Sequence, residues 1–466
     1  MNSTRREVLG LGAMAAAAAL SGCARVANRI GGAEIPSRLD APAQPTSARR
    51  LTERLGFGAR PGDLAQVESM GHAAWIRQQL AADQPDPLAL GLQISRIDAL
   101  RIDGNELRDQ PQEGTIRQIQ RATLLRATLS PNQLRERLAD FWVNHLNIYA
   151  RKGHAAYRLA TDVEHVVRPH ALGSFLEMIR GSSRSPAMLA YLDNTRNTNL
   201  GPNENYAREL MELHTLGVDG GYTQRDIREV ARCFTGWTLE NRFLRPRGRL
   251  AFNPAIHDDG AKLVLGHVIP AGGGETDAAR AVEIILAHPA CAHFISRKLA
   301  AHFLATPEGP AVVAAERAFR ESHGDIRATL GPILTPEALL GAPPIVKRPL
   351  DYVISSLRAV AAETDGGPPL LQHLDAMGQP LHEWPMPDGF PTDAAAWSGS
   401  MLARWNFAYA LVNGGISGTS TPMGRITDRG EGRTLAGVVP IRDAARDPNP
   451  VVQATLALCQ PEFMWR

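Results

Sequence analysis

The chain has 466 residues, of which 44% are hydrophobic and 21% charged, so it can bury a substantial core and is not a disordered protein. Its formal net charge of +2 is too small for nucleic acid to be expected as a partner. Four cysteines in a chain of this length exclude a disulfide scaffold and a cysteine-rich zinc domain.

Residues 1–22 are typical of an export signal rather than of the folded protein. Arg5 and Arg6 stand just before the apolar run 8–20, as in twin-arginine signals. As a helix this run is about 20 Å long, which is shorter than the roughly 30 Å hydrocarbon core, so it is not expected to remain as a transmembrane helix. Residues 20–23, Leu-Ser-Gly-Cys, resemble a bacterial lipobox, which predicts lipidation of Cys23. The alternative is an ordinary cleaved signal with an incidental cysteine.

Residues 23–47 contain several glycines and prolines but few large apolar side chains, which predicts a flexible tether between lipid and domain. Ala24 follows the cysteine, whereas an aspartate there would favour retention in the inner membrane. We therefore expect an exported protein that is lipid-anchored in the periplasm or at the outer membrane, with the membrane as a partner.

Residues 48–466 are dominated by helical periodicity. Leu134, Leu138 and Phe141 follow four- and three-residue spacing, and Thr223 with Asp226 forms a capping-box pattern at the start of another helix. Alternating stretches are scarce, and 249–252 with 262–268 are the candidates for a short hairpin. The predicted fold class is mainly α, as one large irregular multi-helix domain with at most a short β-hairpin.

Four motifs of this region resemble one bacterial family, catalogued as domain of unknown function 1800. They are Phe-Trp-Val-Asn-His at 141–145, Ser-Pro-Ala-Met-Leu at 185–189, Tyr-Leu-Asp-Asn at 191–194 and the long block 203–223. The chain departs from the family at 387–391, where Pro-Asp-Gly-Phe-Pro stands in place of Gly-Trp-Pro. The resemblance implies export and a frequent gene neighbourhood with a sulfatase-like family, domain of unknown function 1501. It suggests an exported sulfatase-like partner and no reaction.

The block 203–216 predicts a helix with one strongly polar face. At 100° per residue, six side chains fall within about 140° of one another: Glu204, Asn205, Arg208, Glu209, Glu212 and Thr215. Arg208 lies four residues from both Glu204 and Glu212, which allows two ion pairs. Glu209 and Glu212 could bind a hard cation together, or repulsion between them could raise one pKa. The alternative is a solvated face held by surface ion pairs. Because this block is also the densest family signature, Glu204, Arg208, Glu209 and Glu212 are candidate catalytic residues.

Two histidines complete the candidate catalytic set. His214 lies at the flank of the apolar stripe of the same helix, and His145 lies on an apolar face with Trp142. A lone histidine in such a place is more often a core residue than a ligand. It would become part of a transition-metal site if His170, His214 or His257 converged on it.

The loop before the polar helix predicts a second site. Oxygen-bearing side chains alternate from Asp193 through Asn197 to Asn199, and Glu204 is the twelfth residue counted from Asp193, as in a calcium-binding EF-hand loop. Asp193, Asn197, Asn199 and Glu204 are therefore candidate ligands of a divalent metal. Thr198 occupies the sixth position, where such loops need glycine. The alternative is an Asx-rich loop whose side chains cap backbone groups.

Two functional hypotheses follow. The first is an envelope enzyme that hydrolyses an extracellular polymer or ester, with or without the assistance of a metal. The second is a non-catalytic lipoprotein that binds or helps to assemble an exported partner. A deep pocket lined by the acids of the helix would favour the enzyme, and a broad shallow apolar patch would favour the binding protein.

Substitution of Cys23→Ala tests the lipid anchor. We expect the variant to lose labelling by radioactive palmitate in growing cells, because the thiol that carries the lipid is gone. Cys459→Ala is the matched control and should keep the label. Arg5→Lys with Arg6→Lys should block export without affecting synthesis, because it removes the arginine pair of the signal. Full labelling of the Cys23→Ala variant would contradict the anchor.

Overall fold

The computed structural model describes residues 46–240, 248–422, 438–439 and 449–466. The signal 1–22, Cys23 and all but the last two residues of the tether at 23–47 lie outside them. The structure is 59% helical, and within these described ranges the strands form three two-stranded sheets. The mainly α fold class is therefore confirmed.

The helices are mostly short and are joined by irregular turns. The α-helices up to residue 240 are Ser47–Leu55, Asp63–Met70, His72–Ala81, Leu88–Ile94, Gln112–Leu129, Gln133–His145, Ala156–Asp162, Arg168–His170, Phe175–Ser183, Pro186–Tyr191, Asn205–Glu209 and Gln224–Cys233. Those after residue 248 are Thr276–Ala287, Pro289–Leu304, Pro310–Glu321, Ile326–Leu330, Pro336–Gly341, Pro349–Ala359, Pro368–Ala376, Met401–Val412 and Pro450–Cys459. Two segments, Val163–Val167 and Leu210–Thr215, are π-helical.

Several helices begin at the capping residues that the sequence predicts. The Thr223 side chain accepts a hydrogen bond from the backbone N–H of Asp226, and the Asp226 carboxylate accepts one from the backbone of Thr223. Ser185 caps the helix that starts at Pro186. These caps satisfy backbone donors that no residue inside a helix can reach.

The predicted hairpin is wrong in its pairing. Leu250–Phe252 pairs antiparallel with Trp237–Leu239, and Lys262–Val264 pairs with His267–Ile269. The second hairpin turns through Leu265 and Gly266, both at positive φ, the geometry that joins strands through two residues. The third sheet joins Glu363–Thr364 to Thr419–Ser420.

The buried apolar residues form two clusters. The larger draws on residues 48–342, and the smaller draws on 350–464 together with Phe57 and Ala59, which follow the helix Ser47–Leu55, and two residues of Gln112–Leu129. No single helix in the described ranges is long and apolar enough to cross a membrane. Thr276–Ala287 and Pro289–Leu304, bent by 68°, meet that test only as a pair.

A buried ion cluster fixes the helix Gln133–His145. The Asp351 carboxylate, 1% exposed, accepts a hydrogen bond from Arg137 and lies 3.6 Å from both Arg348 and Arg466. Arg137 also donates to the carbonyl of Gly56. Burial alone would raise the pKa of Asp351, but the three guanidinium groups hold that pKa below its usual range. Asp351 and Arg137 together thus join the parts of the chain around residues 56, 137, 351 and 466.

We expect Asp351→Asn to lower the free energy of unfolding by about 3–5 kcal/mol, because it leaves buried guanidinium charges uncompensated. In the wild type, the contribution of Asp351 to the free energy of unfolding is present above the unfolded aspartate pKa of about 3.9 and is lost as the pH falls. The free energy of unfolding of the variant should therefore depend less on pH in the acid range. Urea unfolding at a series of pH values measures both effects.

Asp375→Asn is the matched control, because Asp375 pairs with Arg117 at 2.8 Å but is 30% exposed. Its loss should cost less than about 1 kcal/mol. Equal losses in the two variants would show that the buried cluster is not a special determinant of stability.

Candidate functional site

The polar segment 203–216 is not one regular helix. It is α-helical over Asn205–Glu209 and π-helical over Leu210–Thr215, where the backbone N–H of Leu216 reaches the carbonyl of Met211 at 2.8 Å. The prediction of a face at 100° per residue is therefore wrong beyond Glu209. Thr215, predicted on the polar face, is fully buried and donates to the carbonyl of Leu210. Wide turns of this kind occur frequently at functional sites.

Glu204, Arg208 and Glu212 form the two ion pairs that their spacing predicts. Arg208 lies 3.2 Å from Glu204 and 3.3 Å from Glu212, and all three side chains are partly exposed. Glu204 is also bonded to Gln224 at 2.5 Å and lies 3.5 Å from Arg228. For these three residues the structure matches the alternative of a solvated face, and such pairs contribute about 1 kcal/mol or less each.

The first two predicted metal ligands have protein partners of their own. The Asp193 carboxylate accepts a hydrogen bond from Lys152 at 2.9 Å. The buried Asn197 amide donates to the carbonyl of Ala231 at 2.8 Å, and its oxygen accepts from the backbone N–H of Asn203 at 2.8 Å. Asn197 is therefore a structural residue that satisfies buried backbone groups.

The other two predicted ligands face elsewhere. The Asn199 amide donates to the carbonyl of His257 at 3.2 Å, and Glu204 is bonded to the surface groups described above. The structure does not bring the four oxygens together. Within the described ranges, no group of three or more His, Cys, Asp and Glu side chains is placed to hold a metal ion. The loop fits the Asx-rich alternative.

His145, His214 and Lys298 do come together, at the end of the helix Gln133–His145. The Nε2 atom of His145 lies 3.0 Å from the main-chain carbonyl of His214, and its Nδ1 atom lies 2.9 Å from Nζ of Lys298. A carbonyl can only accept, so Nε2 carries the proton and Nδ1 accepts from the lysine. These two bonds fix the tautomer of His145 and hold the lysine amine in place.

The packing around His145 does not produce a multi-histidine site. The described rings packed against it are those of Phe141, Trp142, Phe175, His214 and Phe294. His257, by contrast, lies 3.4 Å from Asp277. The side-chain Nε2 of His214 is buried without a hydrogen-bond partner among the described residues. His145 is therefore both a core residue and a positioning group for Lys298.

Burial controls the charge of this cluster. It lowers the pKa of His214 to about 3, and, together with the charge of Lys298, lowers that of His145 well below its ordinary value. Both rings are neutral at neutral pH. Burial also lowers the pKa of the half-buried Lys298 to about 8, although the Asp388 carboxylate opposes the shift. The amine is thus about nine-tenths protonated at pH 7 and can exchange its proton readily.

Glu209 differs from the other acids of its helix. Burial raises its pKa, the charges of Glu212 and Asp388 raise it further, and only Arg208 opposes them. Asp388 acts on both Glu209 and Lys298 and so connects the two electrostatically. Burial raises the pKa of the Tyr191 phenol, and the charges of Glu209 and Asp388 raise it further.

Asp388 is presented by the segment 384–390, which is tied to the helix Gln133–His145. Asn144 exchanges two hydrogen bonds with the backbone of Phe390, at 3.1 and 2.8 Å. Gly389 has φ +78, and a Cβ atom there would lie 2.2 Å from the carbonyl oxygen of Asn144. A glycine is thus required directly beside Asp388.

We define Glu209, Asp388, Lys298 and His145 as the Glu209–Lys298 site. A model of the family described as "Protein of unknown function (DUF1800)" matches residues 50–465. The chain belongs to this family. The match confirms the resemblance and includes every residue of the site. No curated protein and no solved structure is significantly similar to the chain.

Sequence reasoning found Glu209, His145 and His214 in this DUF1800 member but missed Lys298 and Asp388. Four of the 50 basic residues are lysines, at 152, 262, 298 and 347, so a lysine within the apolar pattern of Pro289–Leu304 was a usable signal. Asp388 lies in the segment where the chain departs from the family pattern. Cys233 is buried, and burial raises the pKa of its thiol to about 12.

The lowered pKa of Lys298 can be measured directly. Competitive labelling with an amine-reactive anhydride from about pH 6 to pH 10, read by peptide mass spectrometry, should give a midpoint near 8 for Lys298. An ordinary lysine titrates at about 10.4. Lys298→Arg should remove this transition and leave the labelling of the peptide that contains Lys152 unchanged. A midpoint of about 10 or above would contradict the assignment.

Proposed function

We propose that this DUF1800 protein is an exported, lipid-anchored enzyme that hydrolyses an ester or an ester-bearing polymer outside the cytoplasm. The observation that carries the proposal is the half-buried Lys298 amine, which is bonded to neutral His145 and lies in the field of Asp388, the carboxylate that also acts on Glu209. Perturbed acids and amines that face one region are typical of catalytic sites.

The protonation states decide the roles. Between the raised pKa of Glu209 and the pKa of about 8 of Lys298, the prevailing form pairs a carboxylate with an ammonium group. The carboxylate then takes a proton from water as the water oxygen attacks the ester carbonyl. The ammonium group stabilises the oxyanion and gives its proton to the departing alkoxide. The opposite assignment needs neutral Lys298 beside protonated Glu209, a combination that is rare at every pH.

His145 and His214 support this chemistry without exchanging protons. Their rings stay neutral because their pKa values are low, and the bond from His145 to the carbonyl of His214 keeps Nδ1 aimed at Lys298. The proposal assigns no step to a metal, because the Asp193, Asn197 and Glu204 oxygens that were predicted as ligands are bonded to protein groups.

The cellular location of the protein is part of the same proposal. Arg5, Arg6 and Cys23 support twin-arginine export and lipidation, which would hold the enzyme at the periplasmic face of a membrane. The substrate would then be an envelope or extracellular ester. An exported sulfatase-like protein remains the proposed partner.

A second candidate function is the non-catalytic binding or assembly lipoprotein. It is favoured by one observation: Leu402, Trp405 and Tyr409 lie on one face of the helix Met401–Val412 and are 60, 45 and 62% exposed. Exposed apolar patches of this kind often bind proteins. Leu402→Glu with Tyr409→Glu should then abolish co-purification of the exported partner while leaving the fold intact by circular dichroism.

Hydrolysis of a panel of nitrophenyl esters and acetylated polysaccharides tests the enzyme. The pH profile of kcat/KM should be bell-shaped, with an acid limb above the ordinary glutamate pKa of about 4.3 and an alkaline limb near 8. Glu209→Gln and Lys298→Met should each lower kcat/KM by at least about 100-fold. Lys298→Arg should retain part of the activity and lose the alkaline limb, because a guanidinium group does not titrate there.

Glu204→Gln is the matched control, since Glu204 lies on the same helix but is ion-paired with Arg208 at the surface. It should change kcat/KM by less than about threefold, in line with the small energies of surface pairs. Full activity of Lys298→Met, with the fold intact by circular dichroism, would rule out the proposed site. Absence of hydrolysis across the panel would favour the binding protein.

A further inference from the structure

A second cluster of reactive side chains is built from residues that the Glu209–Lys298 site does not use. Lys262 begins a short strand, and Asp277 lies in the first turn of the helix Thr276–Ala287. The Nζ atom of Lys262 lies 2.5 Å from Oδ2 of Asp277, and both side chains are 0% exposed. An amine and a carboxyl group are thus held against each other where bulk water does not reach them.

The position of the lysine amine is fixed by a second contact and by the packing of its strand. The amine also donates to the main-chain carbonyl of Asp258. Val264 of the same strand is fully buried, as is Cys233 at the end of a helix that packs on this strand. Inside such a core an unpaired charge is costly, so the neutral amine and the neutral acid come close in free energy to the ion pair.

His257 supplies the third group of the cluster. Its Nδ1 atom lies 2.8 Å from the main-chain carbonyl of Thr235, which can only accept, so Nδ1 carries a proton. Its Nε2 atom lies 3.4 Å from Oδ2 of Asp277. This hydrogen bond requires a proton either on the Asp277 carboxyl group or on Nε2 itself. In both forms the ring can pass a proton to Oδ2.

We infer that Lys262 and Asp277 become joined by an amide bond, an isopeptide cross-link that forms within the folded chain without the help of another enzyme. The lone pair of the neutral Nζ atom attacks Cγ of Asp277, and the Cγ–Oδ2 bond breaks as the new C–N bond forms. Oδ2 keeps the proton of the carboxylic acid, receives a second proton from the amine through Nε2 of His257, and leaves as water. The products are one amide and one water molecule, and no other reactant is consumed.

Proximity makes this condensation feasible, although the same groups do not react in water. Well-oriented groups within one molecule reach effective concentrations of about 10⁵–10⁸ M, provided that the reacting atoms are held in contact. The short distance between Nζ of Lys262 and the Asp277 carboxyl group meets that condition. The enclosed position also keeps out the water that would otherwise solvate the ammonium and carboxylate forms.

The chain contains a matched pair that lacks these features. Lys347 and Glu53 are also buried, but their closest atoms are 3.3 Å apart. Arg49 donates to the same oxygen of Glu53 at 3.1 Å. A guanidinium group does not give up its proton, so it stabilises the carboxylate anion, which is a poor target for an amine. We therefore expect Lys347 to stay unmodified.

Tryptic digestion of the denatured full-length wild-type chain tests the inference. Lys262 is the one tryptic site between Arg249 and Arg280, so an unmodified lysine gives two peptides from this stretch. An isopeptide bond prevents cleavage after Lys262. We expect a single peptide 250–280 that is lighter than its sequence by one water molecule. Cleavage after Lys347 should proceed normally and is the internal control.

Three variants separate the cross-link from other causes of the same mass change. Asp277→Ala should restore both cleavage after Lys262 and the full mass. Lys262→Arg should also restore the full mass, whereas loss of water through a cyclic imide at Asp259, which precedes a glycine, would persist in this variant. His257→Gln should slow the formation of the cross-link in newly made protein at least about tenfold, because the proton relay is lost.

The inference is overturned if the wild-type chain is cleaved after Lys262 at full mass, or if the loss of water persists in Lys262→Arg. Cross-linking at the wild-type rate in His257→Gln would overturn the role of the imidazole. The wild-type digest does not depend on the folding of any variant, and circular dichroism shows which variants are folded before they are compared. Because none of these residues belongs to the Glu209–Lys298 site, the outcome is independent of the ester hydrolysis proposed above.

Discussion

The hydrogen bond from the ring of His145 to the main-chain carbonyl of His214 joins the two segments on which the candidate site depends. The last carbonyls of a helix have no partner within it, and a buried carbonyl without one is costly. His214 is 1% exposed, so water cannot reach its carbonyl. The ring of His145 provides the hydrogen-bond donor instead. Because that donor is Nε2, Nδ1 remains as the acceptor for Lys298. One backbone requirement thus determines a tautomer and, through it, the position of an amine.

The parts of the fold that the sequence predicted are those determined within a few residues. Ser185 and Thr223 cap helices through backbone groups three positions away, so their patterns contain all the interacting atoms. Strand pairing was predicted wrongly because its determinant is conformational. Leu265 occupies a positive φ that leucine seldom adopts, and the glycine that follows it, Gly266, does not by itself specify which strands the turn joins.

The same division applies within the candidate site. The pairs of Arg208 with Glu204 and Glu212 were predictable, because four-residue spacing fixes them on any helix. The π-helical turn after Glu209 was not, because angular reasoning from sequence assumes a constant 100° per residue. Lys298 and Asp388 come from segments far along the chain, so only tertiary packing could show that they share a field with Glu209.

Lys298 differs from Lys262 and Lys347 in the group that its amine contacts. Burying an ammonium group costs free energy that a nearby carboxylate offsets. Lys262 lies 2.5 Å from Asp277, and Lys347 lies 3.3 Å from Glu53, so both are compensated by direct ion pairs. The direct partner of Lys298 is instead the neutral imidazole of His145. The compensating charge is that of Asp388, which acts electrostatically rather than as an ion pair. A positive charge held in this way adds little to stability, so the presence of Lys298 at this place points to chemistry rather than to packing.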